Sequence, residues 1–141
     1  MQKGRSPSLK RVGQRGVAAV EFALVLPVLL VLVLGAVDWG WYFFIDQLVT
    51  NAAREGARAG TVLAPRPLTA PSTAENTAAG ASNAYLQKVN LSPTGVVATY
   101  TTVSGTDAIS VTITYPVGSI TGFLTAVMPK NATATAVMRW Q

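Results

Sequence analysis

Apolar positions fall into three regimes along the chain. From Phe22 to Val37 the sequence reads FALVLPVLLVLVLGAV without a charge, and apolar residues resume after Asp38 as WGWYFFI at 39–45. Hydrophobicity on every face predicts a helix surrounded by lipid, not one apolar along a single stripe. The 22–37 run alone covers only about 24 Å at the helical rise, whereas a start at Val17 extends it to about 31 Å, enough to cross the hydrocarbon of a bilayer. That longer span has to include Glu21. Trp39, Trp41 and Tyr42 follow where an interfacial aromatic belt is expected.

From Ile45 to about Gly60 the pattern becomes amphipathic. Ile45, Leu48, Val49, Ala52, Gly56 and Ala59 recur at spacings of three and four, with Asp46, Thr50, Arg54 and Arg58 on other faces. Ala52, Ala53, Gly56, Ala57 and Gly60 form a small-residue face that lets another backbone approach closely. It can pack on the chain's own sheet or on a neighbouring subunit, and the amphipathic pattern favours the former. Arg54, Glu55 and Arg58 read as a solvated helical face.

The third regime is short-period. APRPLTAP at 64–71 has three prolines and predicts a connector. Ser72 and Glu75 then match a capping box, opening an alanine-rich second helix to about Val89, with Gly80 weakening it. Residues 96–103 and 109–115 read as two strands joined through Ser104-Gly105-Thr106-Asp107. In the second, Ile109, Val111, Ile113 and Tyr115 alternate with Ser110, Thr112 and Thr114. Ala132 to Trp140 alternates as a third strand, and Ile120 to Met128 is expected as a short helix before Pro129. The expected fold class is α+β: a long N-terminal hydrophobic helix, membrane-spanning and then amphipathic, packed on a small antiparallel sheet in a pilin-like arrangement. Its parts are a basic leader at 1–16, a transmembrane helix at 17–45, an amphipathic extension at 46–62 and an exported domain at 63–141.

Charge changes the picture in one place. Lys3, Arg5, Lys10, Arg11 and Arg15 stand before the apolar run without an acid, so the net charge of +5 belongs to this leader. The remaining chain balances six basic residues against six acids. Clustered cations before the run, with Lys10, Arg11 and Arg15 nearest to it, place the N-terminus in the cytoplasm and the chain beyond about residue 40 outside. A cleavable secretory signal shares this layout, but the run exceeds an ordinary h-region and no plausible small-x-small cleavage site follows. The folded part lacks the basic face that nucleic acid requires, so no nucleic-acid partner is expected. Histidine and cysteine are absent, which removes disulfides and the usual zinc ligand sets. With no nucleophile and base pair, no phosphate loop and dispersed acids, no catalytic residue, metal or cofactor is expected.

Glu21 is the unusual residue, because a carboxylate at the bilayer edge is costly and usually marks a function or a partner. Around it the chain reads Arg15-Gly16-Val17-Ala18-Ala19-Val20-Glu21-Phe22. This segment, with VEFALVLPVLL at 20–30 and NAAREGARAG at 51–60, resembles type IV prepilins and, more narrowly, the TadE-like minor pseudopilins of the tight-adherence (Flp) pilus. The resemblance covers about the first 60 residues well and the rest in outline. It implies cleavage by a prepilin peptidase after Gly16, Val17 as the new N-terminus, Glu21 as the assembly glutamate at the fifth mature position and Phe22 as the aromatic after it. A cut at Gly13 would break that spacing.

Pro27, in the middle of the helix, removes one hydrogen bond and is expected to bend it. The resemblance further implies a structural subunit in the bacterial cytoplasmic membrane. Its implied partners are a prepilin peptidase, other pilin and pseudopilin subunits, an inner-membrane assembly platform and the lipid bilayer. Major Flp pilins are little more than the helix, so the length of chain beyond Gly60 points to a minor subunit that initiates, primes or caps a pilus. Two other readings stay open: a membrane-tethered periplasmic binding module, and a pseudopilin of a type II secretion system.

Overall fold

The computed structural model describes residues 13–63, 70–92 and 95–140. One helix, α1 (Gly13–Val62), runs through both the lipid-like and the amphipathic regimes without a break, and it continues through Pro27. Its 50 residues extend about 75 Å. A second helix, α2 (Pro71–Lys88), precedes three strands: β1 (Gly95–Val103), β2 (Thr106–Pro116) and β3 (Asn131–Arg139). They form an antiparallel sheet in the order β1-β2-β3. The architecture is thus α+β, a long apolar helix with a small three-stranded sheet.

The core forms where three patterns meet. Ile45, Val49, Ala52, Ala53 and Ala57 on α1 and Leu86 on α2 close over Ile109, Val111 and Ile113 of β2. Register explains the fit of the edge strands. Tyr100, Ala98 and Val96 of β1 and Met138, Ala136 and Ala134 of β3 stand opposite Ile109, Val111 and Ile113. Side chains opposite one another share a face of the sheet, so the alanines of β3 keep this side low where α1 lies across it.

The helices meet through small residues. Ala74, Ala78, Ser82 and Leu86 form the buried stripe of α2, and the Ser82 hydroxyl donates to the Ala52 carbonyl of α1 at 3.1 Å. A Cβ built on Gly56 would collide with Ser82 Oγ and lie 2.7 Å from the Ala78 carbonyl oxygen. One on Gly60 would lie 2.9 Å from Ala78 Cβ and 3.3 Å from Ile109 Cγ2. The stripe at Ala52, Ala53, Gly56, Ala57 and Gly60 is buried within the chain itself, against α2 as well as the sheet.

Local chemistry sets the ends. The chain leaves α2 through Asn90, whose φ is 56°, with Leu91 N donating to Leu86 O and Asn90 N to Gln87 O. This is a Schellman ending, closed by the buried Leu91 and Leu86. Ser104 and Gly105 both have positive φ and join β1 to β2 as a two-residue turn of the type that matches strand twist.

Two local expectations are overturned. The capping box at Ser72 and Glu75 does not form: α2 starts at Pro71, its N-cap Ala70 makes no side-chain bond, and Glu75 accepts instead from Tyr100 N of β1 at 2.7 Å. Proline at the first helical position needs no donor there. The short helix expected over 120–128 is a series of turns. There Ser119 and Thr121 direct hydroxyls and an amide toward Asp38, and Gly122 takes a left-handed φ of 76°. Such competition for backbone partners disfavours a helix. Most of the connector expected at 64–71 lies outside the described residues.

Gly56→Val should destabilise the domain by about 1–3 kcal/mol, because α1 and α2 would have to separate. The readout is the thermal midpoint of the detergent-solubilised protein. Gly80→Ala, at an exposed helical position where the added Cβ meets nothing within 4 Å, should raise that midpoint through a gain in stability of up to about 1 kcal/mol. Equal effects would contradict packing through this face.

Candidate functional site

Between Gly16 and Val33 the helix stands clear of the domain. Val17, Val20, Phe22, Leu24, Val25 and Leu32 are all exposed, and none of the most apolar window of α1 is buried inside the protein. A core helix would be covered here. The helix is long and apolar enough to cross a membrane.

Its N-terminal end carries the motif residues. Gly16 and Val17 lie within α1, and a Cβ on Gly16 would meet nothing within 4 Å. Glu21 is one turn beyond Val17 on the same side of the helix, exposed, with no hydrogen bond or ion pair to another described residue. Phe22 is exposed beside it. Pro27 is exposed within the same bare stretch. Lys10 and Arg11 lie outside the described residues, and for Arg15 only the helical backbone is described.

At its other end the bare stretch terminates on Asp38, which is fully buried. Its carboxylate accepts from Ser119 Oγ at 2.7 Å, Thr121 N at 2.9 Å, Thr121 Oγ1 at 2.7 Å and Leu124 N at 3.3 Å. All four donors belong to the loop between β2 and β3. That loop is closed at its base by Val117 N donating to Lys130 O at 2.8 Å. Leu124 reaches down to Gly35, and Leu34 and Gly35 are half-buried. Sequence reasoning treats Asp38 only as a flanking acid. A lone carboxylate ending a long apolar run is the available signal that it needs donors, but those donors lie more than 80 positions away.

The aromatic cluster divides between two roles. Trp39 packs against Tyr42 and Phe43, and Trp41 stacks on Phe44. Trp41 and Tyr42 also reach the core, whereas Phe43 and Phe44 are exposed. Further along, Arg58 binds Glu55 through two bonds of 2.8 and 3.0 Å. The hydrogen bond holds the Glu55 carboxyl below its ordinary value. Both side chains are largely exposed, so the pair contributes little stability. Among the described residues no group of three or more His, Cys, Asp or Glu could hold a metal.

The geometry defines a protein class, a small α+β domain carried on one long helix that emerges bare and apolar. Comparison with known proteins narrows it. The model of the TadE-like protein family matches residues 16–58, from Gly16 through the bare stretch to Arg58 of the buried half of α1. The match covers rather less than a third of the chain, and over that span the sequence is similar to TadE-like proteins. No curated protein and no solved structure matches the chain.

Asp38→Ala should free residues 119–128, leaving the Ser119 and Thr121 hydroxyls and two amides without their acceptor. The expected result is faster amide hydrogen exchange and earlier proteolysis within that loop, with the β1–β2 hairpin unaffected. Unchanged exchange at Thr121 and Leu124 would contradict the anchoring role.

Proposed function

We propose that this protein is a minor pseudopilin of a tight-adherence pilus, cut by a prepilin peptidase after Gly16 and anchored by α1 with its domain exported. The observation that carries this reading is the placement of Gly16, Val17 and Glu21 at the head of a bare apolar helix. The TadE-like match begins at that same glycine.

Cleavage there would remove all five leader cations and leave an ammonium on Val17. A peptidase must unwind the bond it cuts, and glycines at 13 and 16 each weaken the helix by about 1 kcal/mol relative to alanine. After the cut, the Val17 ammonium of one subunit can meet Glu21 of the next. In lipid, opposite charges attract far more strongly than in water, and an unpaired charge is heavily penalised. Glu21 thereby sets the register between neighbouring helices more than it adds strength.

The basic leader keeps the N-terminus in the cytoplasm. The domain's size suits a subunit that initiates, primes or caps a filament better than one that forms its shaft. Burial of the small-residue stripe beneath α2 supports the same view. Contacts between subunits then fall to the bare half of α1.

Co-expression with a prepilin peptidase should yield a chain whose N-terminal sequence starts VAAVEF. Replacing Gly16 with a bulky residue should block the cut, while Glu21→Ala should spare it and impair pilus assembly. An intact leader in the presence of an active peptidase would contradict the proposal. Normal assembly of the Glu21→Ala protein would contradict the role given to the glutamate.

A further inference from the structure

We propose that the loop between β2 and β3 is a second membrane contact, in which Ile120, Phe123 and Val127 enter the bilayer at the headgroup boundary beside the point where α1 emerges. The proposal rests on the reading of α1 as a membrane-spanning helix. Three observations carry it.

The first is height. The four hydrogen bonds to Asp38 fasten the loop directly after the apolar run. Leu124 Cδ1 lies 3.7 Å from the Cβ position of Gly35, two residues inside that run. A bilayer covering Val17 to Val37 therefore meets the loop at its surface.

The second is composition. No residue from Val117 to Pro129 is charged, and Lys130 follows, exposed, where a cation can reach lipid phosphate. Ile120 is 58%, Phe123 50% and Val127 69% exposed, whereas Val117 and Met128 at the loop's base are buried. Trp39, the aromatic that opens the interfacial belt on α1, is itself exposed and directly follows the Asp38 to which the loop is bonded.

The third is polar satisfaction, which entry into lipid demands. Ser119 and Thr121 give their hydroxyls to Asp38, and Thr125 gives its own to the Gly122 carbonyl at 2.9 Å. The Gly122 and Phe123 amides are bonded to the Ser119 and Thr121 oxygens, and those of Val127 and Met128 to Leu124 O. The loop's three hydroxyls and its amides at 121–124, 127 and 128 are thereby bonded within the protein, which lowers the cost of bringing its apolar side chains to the headgroup boundary.

Because the chain lacks cysteine, single-cysteine variants take one environment-sensitive fluorophore each. Phe123→Cys and Val127→Cys test the loop. Leu29→Cys tests the span, and Thr102→Cys, toward the far end of the sheet, reports water. The full-length proteins are reconstituted in phosphatidylethanolamine and phosphatidylglycerol vesicles containing lipids with a nitroxide just below the headgroup or deep in the acyl chain. The expected result is blue-shifted emission at 123 and 127 quenched by the shallow nitroxide, quenching at 29 by the deep one, and neither at 102. Quenching at 29 with water-like, unquenched emission at 123 and 127 would overturn the proposal and leave the spanning helix intact. Blue-shifted emission at 123 that no nitroxide quenches would overturn it in favour of a protein partner, such as a second copy of this chain. Absence of quenching at 29 would overturn the spanning reading and the proposal together.

Discussion

One continuous helix has to serve two surroundings, and the rest of the fold is arranged around that demand. From Phe22 to Val37, α1 is apolar on all faces and bare except where Leu34 and Gly35 meet the β2–β3 loop; from Asp38 onward its burial turns periodic and the domain closes over one side. A helix suited to lipid needs bulky apolar residues all round. A helix that lets another backbone lie against it needs small ones along a line. The sequence changes from the first vocabulary to the second between Val37 and Ala52, across a cluster of aromatics that belongs to both.

Asp38 marks the change physically. A buried carboxylate beside an apolar run is tolerable only when its oxygens are satisfied, and the β2–β3 loop satisfies them with four donors. The same contact determines where that loop stands, and hence which apolar side chains lie level with the end of the bare stretch. At the far end of the buried half, Gly56 and Gly60 bring α2 close enough for Ser82 to reach a carbonyl of α1. The domain is therefore fastened to its helix at two heights, by charge near Asp38 and by close packing near Gly60.

Much of this was legible in the sequence because the signals are local. An unbroken apolar run, spacings of three and four, and strict alternation at 109–115 each reflect one element's own geometry. The helix, the strands and the small-residue face follow from them. What was not legible depends on contacts between distant positions. Glu75 looks like a capping residue until the amide of Tyr100 is set against it. Residues 120–128 look helical until Asp38 draws their donors away. The small-residue face predicted a close neighbour without identifying it as α2. The Gly16 to Glu21 pattern was readable because it is itself a local spacing, whereas the anchoring carboxylate at 38 has no local signature beyond its isolation.

The change of surroundings at Asp38 can be measured directly by a nitroxide scan along α1 from residue 22 to 60 in the reconstituted protein at low density. The expected profile shows oxygen accessibility on every face up to Val33, then protection recurring every three to four residues from Asp38 onward. Periodic protection already present between 22 and 33, or accessibility to a polar relaxant in that stretch, would contradict a bare, lipid-immersed first half.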